Sequence, residues 1–160
     1  MTIGSELEGV AKWIYNRITS NAGIMEFVKV HPVMNMPQVY FNLAPEGSRV
    51  PYCVFTYLGG SSKNASSGRK IFKRLKFSVQ FVTVGDSVAH VLPFVARLEV
   101  LFQNDQMSES IVIMGSRVES DFSITDILDG GVTTSRTGII ISVSAYAQRP
   151  VIIDEGGINL

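Results

Sequence analysis

The feature of this sequence that most constrains its fold is a run of alternating side chains from Phe72 to Val84. Apolar residues take one set of alternate positions and polar residues take the other: Leu75, Phe77, Val79 and Phe81 against Arg74, Lys76, Ser78 and Gln80. Successive side chains of a β-strand point to opposite faces of the sheet, so this period of two indicates a strand with one buried face and one solvated face. Such half-buried strands are typical of antiparallel sheets that are covered on one side.

Two amphipathic helices are predicted to cover the apolar face of that sheet. Ser5 and Glu8 have the spacing of a capping box, and apolar residues then recur every three or four positions until the helix ends near residues 21–23. These apolar residues are Leu7, Val10, Ala11, Ile14 and Ile18. A second helical pattern runs from Val88 to Phe102 and contains Pro93. This helix either begins near Leu92 or has a kinked first turn.

Further strands are predicted at about residues 38–43, 52–58, 111–122 and 137–148. The polar connections Gly59–Lys70 and Ser123–Arg136 are longer than the roughly two to five residues of most hairpin loops. We therefore expect an α+β fold in which an antiparallel β-sheet of four to five strands is packed on one face by two α-helices, with long flexible hairpin loops. Residues 1–148 are expected to form a single domain, and residues 149–160 a C-terminal tail that is flexible or docked on a neighbouring subunit.

Charge is balanced over the whole chain but not along it. Fourteen basic and fourteen acidic residues cancel, so the molecule as a whole is not suited to attract nucleic acid or an anionic membrane. Between Glu46 and Asp86 all the charged residues are basic, whereas acids dominate from Glu99 to Asp129. This distribution predicts one positive patch and one negative patch.

No targeting segment, membrane span or disulfide is predicted. The N-terminus lacks the basic start and apolar run of a signal peptide, and no stretch reaches the roughly 18 apolar residues of a membrane helix. Cys53 is the single cysteine and lies among apolar residues, which favours an inert core thiol. We therefore expect a soluble protein that is made in a reducing compartment.

The sequence predicts neither an enzyme nor a bound cofactor or metal. The signatures GxxxxGK[ST], GxGxxG, HExxH and paired CxxC, which bind phosphate or zinc, do not occur. The two histidines, His31 and His90, are each expected to have a surface or hydrogen-bonded role. Two pairs of acids could serve in acid–base chemistry: Asp126 with Asp129, and Glu119 with Asp121. The sequence places no apolar pocket around either pair, so solvated acids are the favoured interpretation.

The basic run RKIFKRLK, residues 69–76, allows more than one interpretation. Cations interleaved with aromatic residues could form a surface that binds nucleic acid. However, the alternation places Phe77 on the buried face, away from Arg74 and Lys76, so bases would lack a stacking platform. A solvated strand face and a contact with a protein partner are both favoured over nucleic-acid binding.

The order of these elements resembles the tail terminator, or tail completion, proteins of long-tailed bacteriophages. The resemblance covers roughly Glu6 to Gln148. It includes a first helix of about fifteen residues, the link APEGSRVPYCVFTYLGG, the long hairpin, the basic strand, the helix in VTVGDSVAHVLPFVARLEVLF and the closing strand RTGIIISVSAYAQ. It rests on this order of elements and on the segment P-x-G-x-x-x-P-Y-x-V-F from Pro45 to Phe55, with one spacing difference from the family.

What the resemblance implies is an α+β subunit that forms a hexameric ring on the head-proximal end of the phage tail tube. Such a ring terminates tail polymerisation and provides the surface for head attachment, without catalysis or cofactors. The implied partners are further copies of the chain, the tail tube protein and the head–tail connector protein, while DNA passes through the ring without sequence-specific binding. The implied location is the virion, after assembly in the host cytoplasm. A connector adaptor or neck protein of the same joint is the alternative.

Charged residues of the basic strand and of the two long connections are the predicted interface of this ring, because opposite charges favour head-to-tail register. They are Lys63, Arg69, Lys70, Lys73, Arg74, Lys76, Asp126 and Asp129. The connections Gly59–Lys70 and Ser123–Arg136 are expected to be arms that become ordered on contact with the tube or the connector.

Overall fold

The computed structural model of the chain describes residues 5–64, 70–85, 88–103, 112–127 and 130–148. Along these residues the elements in chain order are α1 (Ser5–Thr19), α2 (Ala22–Phe27), β1 (Val39–Phe41), β2 (Tyr52–Asn64), β3 (Lys70–Val84), α3 (Leu92–Phe102), β4 (Val112–Ile127) and β5 (Thr133–Gln148). The strands form a five-stranded sheet in the order β1-β2-β3-β5-β4. The predicted α+β class is confirmed.

The sheet is mixed, because its edge strand β1 runs parallel to β2 while the other neighbours are antiparallel. Gln38, which is fully buried just before β1, explains this direction. Its side-chain nitrogen donates to the Arg49 carbonyl oxygen at 2.7 Å, and its side-chain oxygen accepts from the Arg49 N–H at 2.8 Å. These bonds hold the returning link beside the start of β1, so the chain enters β2 in the direction in which it entered β1.

Both long hairpins have longer strands and shorter connections than the sequence predicts. β2 continues through Gly59 to Asn64, with Gly60 opposite Leu75. Residues 124–127 and 133–136, predicted as part of an open connection, pair with one another. Strand pairing gives a partner to the backbone N–H and C=O groups that face the neighbouring strand, which outweighs the low strand preference of glycine. The polar composition of these segments therefore indicates solvated strands and not open loops.

One hydrophobic core lies between the sheet and the three helices. The predicted apolar set of β3 is buried, with none of its members more than 3% exposed. The core also contains Cys53 and Phe55 of β2, Ile139, Ile141, Val143 and Ala145 of β5, Val10, Ile14 and Ile18 of α1, Ile24 of α2, and Val95, Leu98 and Phe102 of α3. Since all three helices contribute to one cluster, the opposite face of the sheet has no helical layer in the described part of the chain.

The helix predictions are correct in position but miss one helix. α1 ends at Thr19, and the short helix α2 follows where the sequence predicts only a helix end. The Asn21 side chain caps α2 by accepting from the Ile24 N–H at 3.0 Å. α3 begins at Leu92, so Pro93 lies in its first turn, where a missing N–H costs no hydrogen bond. None of the helices among the described residues is long and apolar enough to cross a membrane.

The two edges of the sheet differ in length and regularity. β1 has 3 residues, whereas β4 at the other edge has 16. The register of β4 against β5 shifts between Ile113 and Gly115 and again between Val118 and Ser120. Irregularities of this kind bend a strand and increase its local twist.

Candidate interaction surfaces

The face of the sheet that is turned away from the helices, called the open face below, is built from β2, β3, β5 and β4. Register places Val54, Gln80, Gly138 and Phe122 in one row across these strands. Alternation puts further residues on the same face: Thr56, Arg74, Lys76, Ser78, Val82, Val84, Arg136, Ile140, Ser142, Ser144, Ile124 and Asp126. Ile124 is 42% exposed and Val84 is 54% exposed. The open face is therefore a mixed apolar and charged surface.

Two ion pairs cross the open face and join different strands. Lys76 Nζ of β3 lies 3.2 Å from Glu119 Oε2 of β4. Arg136 of β5 contacts Asp126 Oδ2 of β4 twice, at 3.0 Å from Nη2 and 3.1 Å from Nε. Because Lys76 lies beside Glu119 and Asp126 lies beside a base, the prediction of separate positive and negative patches is wrong for these three residues. Each pair is partly exposed and contributes no more than about 1 kcal/mol to the free energy of unfolding.

Lys73, predicted as an interface residue, faces the helices and not the solvent. It shares the alternate set of Leu75, and its Nζ lies 3.5 Å from Glu6 Oε2 of α1. The two side chains are only 17% and 6% exposed. Lys73 therefore connects α1 to the sheet within one chain, and its predicted role in an interface between subunits stays a prediction.

The remaining predicted interface residues have different positions. Arg74 is exposed on the open face, and none of the ion pairs among the described residues includes it. The backbones of Lys63 in β2 and Lys70 in β3 are paired within the sheet. Arg69 and Asp129 lie outside the described residues.

An apolar groove of about 620 Å³ lies between α1 and β1 and is called the α1–β1 groove below. Its walls include Leu7, Ala11, Tyr15, Val39, Phe41 and Leu43. Phe41 is 41% exposed and Leu43 is 81% exposed. The sequence patterns did not predict this groove. The only signal for it was the pair of alternate apolar residues, Phe41 and Leu43, at the end of the strand predicted at residues 38–43.

A second exposed apolar feature is a turn anchored by His31. The ring Nδ1 accepts from the N–H groups of Val33 at 3.2 Å and Met34 at 3.1 Å. Nε2 lies 3.3 Å from the Glu46 carbonyl oxygen, so it carries the ring proton and donates it. The ring is 3% exposed, which confirms the expected hydrogen-bonded role, whereas the tip residue Val33 is 86% exposed. His90 is exposed.

The residues considered for chemistry do not form a reactive site in the described part of the chain. Cys53 is fully buried, and burial raises the pKa of its thiol to about 12, as fits the predicted inert core thiol. Of the two candidate acid pairs, Glu119 is engaged by Lys76, and Asp129 lies outside the described residues. Within those residues, no group of three or more His, Cys, Asp or Glu side chains is placed to hold a metal ion.

The fold recurs in a solved structure described as the virion of a native gene transfer agent (GTA) particle. The similarity covers 82% of this chain and 91% of that chain, with a TM-score of 0.54 and 10% sequence identity. No protein-family model and no curated protein matches the chain. At this level of identity the likeness shows a shared fold alone, so the resemblance to tail terminators stays a prediction.

Proposed function

We propose that this chain is a structural protein of a phage-like virion and has no catalytic role. The observation that carries the proposal is the fold, which is shared over most of both chains with a component of a gene transfer agent virion, a phage-like particle. The order of elements along the sequence resembles tail terminators and supports the same class of particle.

Within that class the proposed role is the ring that terminates the tail. The chain forms a hexamer on the head-proximal end of the tail tube, stops polymerisation of the tube and provides the surface for head attachment. Its partners are further copies of itself, the tail tube protein and the head–tail connector protein. DNA passes through the ring without being read, and the ring is part of the virion.

Two unlike surfaces support this role. The open face lies on one side of the sheet, and the α1–β1 groove lies on the helix side, at the β1 edge. A ring is built from heterologous contacts, in which one surface of each subunit meets a different surface of the next. A chain with two such surfaces on different sides has what this geometry requires.

The basic strand supports a protein partner better than a nucleic acid. Lys73 and Lys76 are both engaged by carboxylates of the same chain. Binding of a phosphate backbone depends on cations that can exchange their counterions for phosphates, and here two of the strand's cations are already neutralised. Of the basic residues of β3 whose side chains are described, Arg74 is the exposed one outside these ion pairs.

The test is the mass of the purified chain by light scattering over a concentration series, followed by negative-stain imaging with and without purified tail tubes. We expect a species of six times the chain mass, either alone or on tube ends. Ile124→Arg on the open face should reduce tube capping, while Val100→Arg, on an exposed position of α3, should not. A monomer that leaves tube ends uncapped at every concentration would overturn the proposal.

A further inference from the structure

The α1–β1 groove has the shape and chemistry to receive an extended apolar segment. It runs beside β1, which is an edge strand of the sheet. Phe41 and Phe55 form part of its floor, with ring centroids 5.2 Å apart. Main-chain hydrogen bonds to an edge strand, combined with pockets for alternate side chains, are a recurrent way of binding extended peptides. Exposed Phe41 and Leu43 would gain most from such an occupant.

The sequence after β5 supplies a segment of this kind. β5 ends at Gln148, and Val151, Ile152 and Ile153 follow after two intervening residues. β-branched residues favour the extended backbone that an edge strand pairs with. Pro150, just before them, cannot donate a hydrogen bond and is fixed in φ, which suits the entry to an added strand.

The register of the sheet decides which copy can deliver this segment. Ile139 of β5 is level with Phe41 of β1 through the paired residues of β3 and β2. The rest of β5 from Ile139 to Gln148 extends roughly 30 Å, and three strand spacings add about 14 Å sideways, so Gln148 lies roughly 33 Å from Phe41. From Gln148 to Ile153 the chain can span at most about 17 Å. A copy therefore cannot pair Val151–Ile153 with its own β1 at Phe41, whereas a second copy is not restricted by this distance.

We infer that the α1–β1 groove binds the segment Val151–Ile153 of a second copy of the chain. The contact is heterologous, because the groove of one copy meets the segment of the next. It rests on the proposed function in that it supplies the head-to-tail contact of the proposed ring. It also names the residues that make that contact.

The direct test uses the full chain carrying V151S, I152S and I153S, so that the segment of one copy cannot occupy the groove of another. A fluorescein-labelled peptide RPVIIDEGGINL, residues 149–160, is titrated against this protein and followed by fluorescence anisotropy. We expect saturable binding that Leu43→Glu weakens at least about tenfold. Ile127→Glu changes a residue that is 79% exposed, matched to the 81% of Leu43, at the opposite edge of the sheet, and should leave binding unchanged. A peptide with serines at positions 151–153 should not bind.

Absence of binding up to about 1 mM, the range of effective concentrations within an assembly, would overturn the inference. Equal binding by the Leu43→Glu protein would overturn it as well. Because the titration does not require a ring, its result is separate from the capping assay. Rings that cap tubes although the peptide fails to bind would leave the proposed function standing and remove the inference. Peptide binding by a chain that never caps tubes would support the groove–segment contact and remove the proposed function.

A mixing experiment tests the assignment to a second copy. The chain with V151S, I152S and I153S keeps its groove, and the Leu43→Glu chain keeps its segment. Each alone should be monomeric by light scattering, while an equimolar mixture should form a dimer with one groove–segment contact. A mixture that stays monomeric at concentrations that saturate the peptide titration would show that the segment is not delivered between copies.

Discussion

Lys73 and Lys76 lie on the same strand but on opposite faces of the sheet, which makes them a matched pair for testing the buried contact with α1. At 3.5 Å, two unit charges attract by roughly 5 kcal/mol at an effective dielectric constant of 20. Removing one member of a buried pair costs about 3–5 kcal/mol, because the other charge stays buried. Since Lys73 keeps 17% of its side-chain exposure, we expect Lys73→Met to cost about 3 kcal/mol. Lys76→Met, at 50% exposure, should cost no more than about 1 kcal/mol.

Chemical denaturation followed by circular dichroism at neutral pH would measure both changes. For a chain of this size, Lys73→Met should also lower the midpoint of thermal unfolding by about 6–12 °C. The double variant Glu6→Gln and Lys73→Met should recover most of the loss, because the carboxylate that Lys73 compensates has been removed together with it. If Lys73→Met and Lys76→Met cost the same, or if the two changes in the double variant simply add, the Glu6–Lys73 contact does not stabilise the fold as argued.

Two further outcomes follow from the interior of the sheet. Gly138→Ala would place a Cβ atom 2.0 Å from the Val79 carbonyl oxygen and 2.6 Å from Gln80 Cα. We expect it to lower the free energy of unfolding in denaturant by about 3 kcal/mol or more. Stability equal to that of Ser144→Ala, on the same face of the sheet, would contradict this. The pKa of Cys53 is raised from 9.0 to about 12 in the fold. Between these pH values the folded state keeps its thiol proton whereas the unfolded state loses it. The free energy of unfolding should therefore fall between pH 9 and 12 by up to about 1.4 kcal/mol per pH unit. Cys53→Ala should reduce this dependence of the free energy of unfolding on pH. A thiol reagent at pH 8 should modify Cys53 only after the protein unfolds. Rapid modification of the native protein would refute the burial argument.

The parts of the fold that the sequence predicted are those set by local periodicity. The period of two in β3 identified the buried residues because one face of the sheet is covered and the other is not. The period of three to four identified α1 and α3 for the same reason. Lys73 shows that this signal was stronger than composition. Lys73 shares the alternate positions of Leu75 and lies under α1, whereas its charge had placed it among the predicted interface residues.

The parts that the sequence did not predict depend on the order of strands. The pairing of Lys76 with Glu119 needs β5 to lie between β3 and β4, and no local pattern states that order. The α1–β1 groove needs β1 to run parallel to β2, a direction set by the two hydrogen bonds between Gln38 and Arg49. The second half of β2 was not predicted either, because its glycine and serine residues pair through the backbone and show no apolar alternation.

The unequal edges of the sheet limit how copies of this chain can accumulate. A lattice that grows by adding strands needs a long straight edge on each side of every copy. This chain has 3 residues at β1 and a β4 edge that is bent at two places. Backbone ladders therefore cannot extend regularly from copy to copy. A larger assembly of copies would therefore need contacts other than a continuous β-ladder.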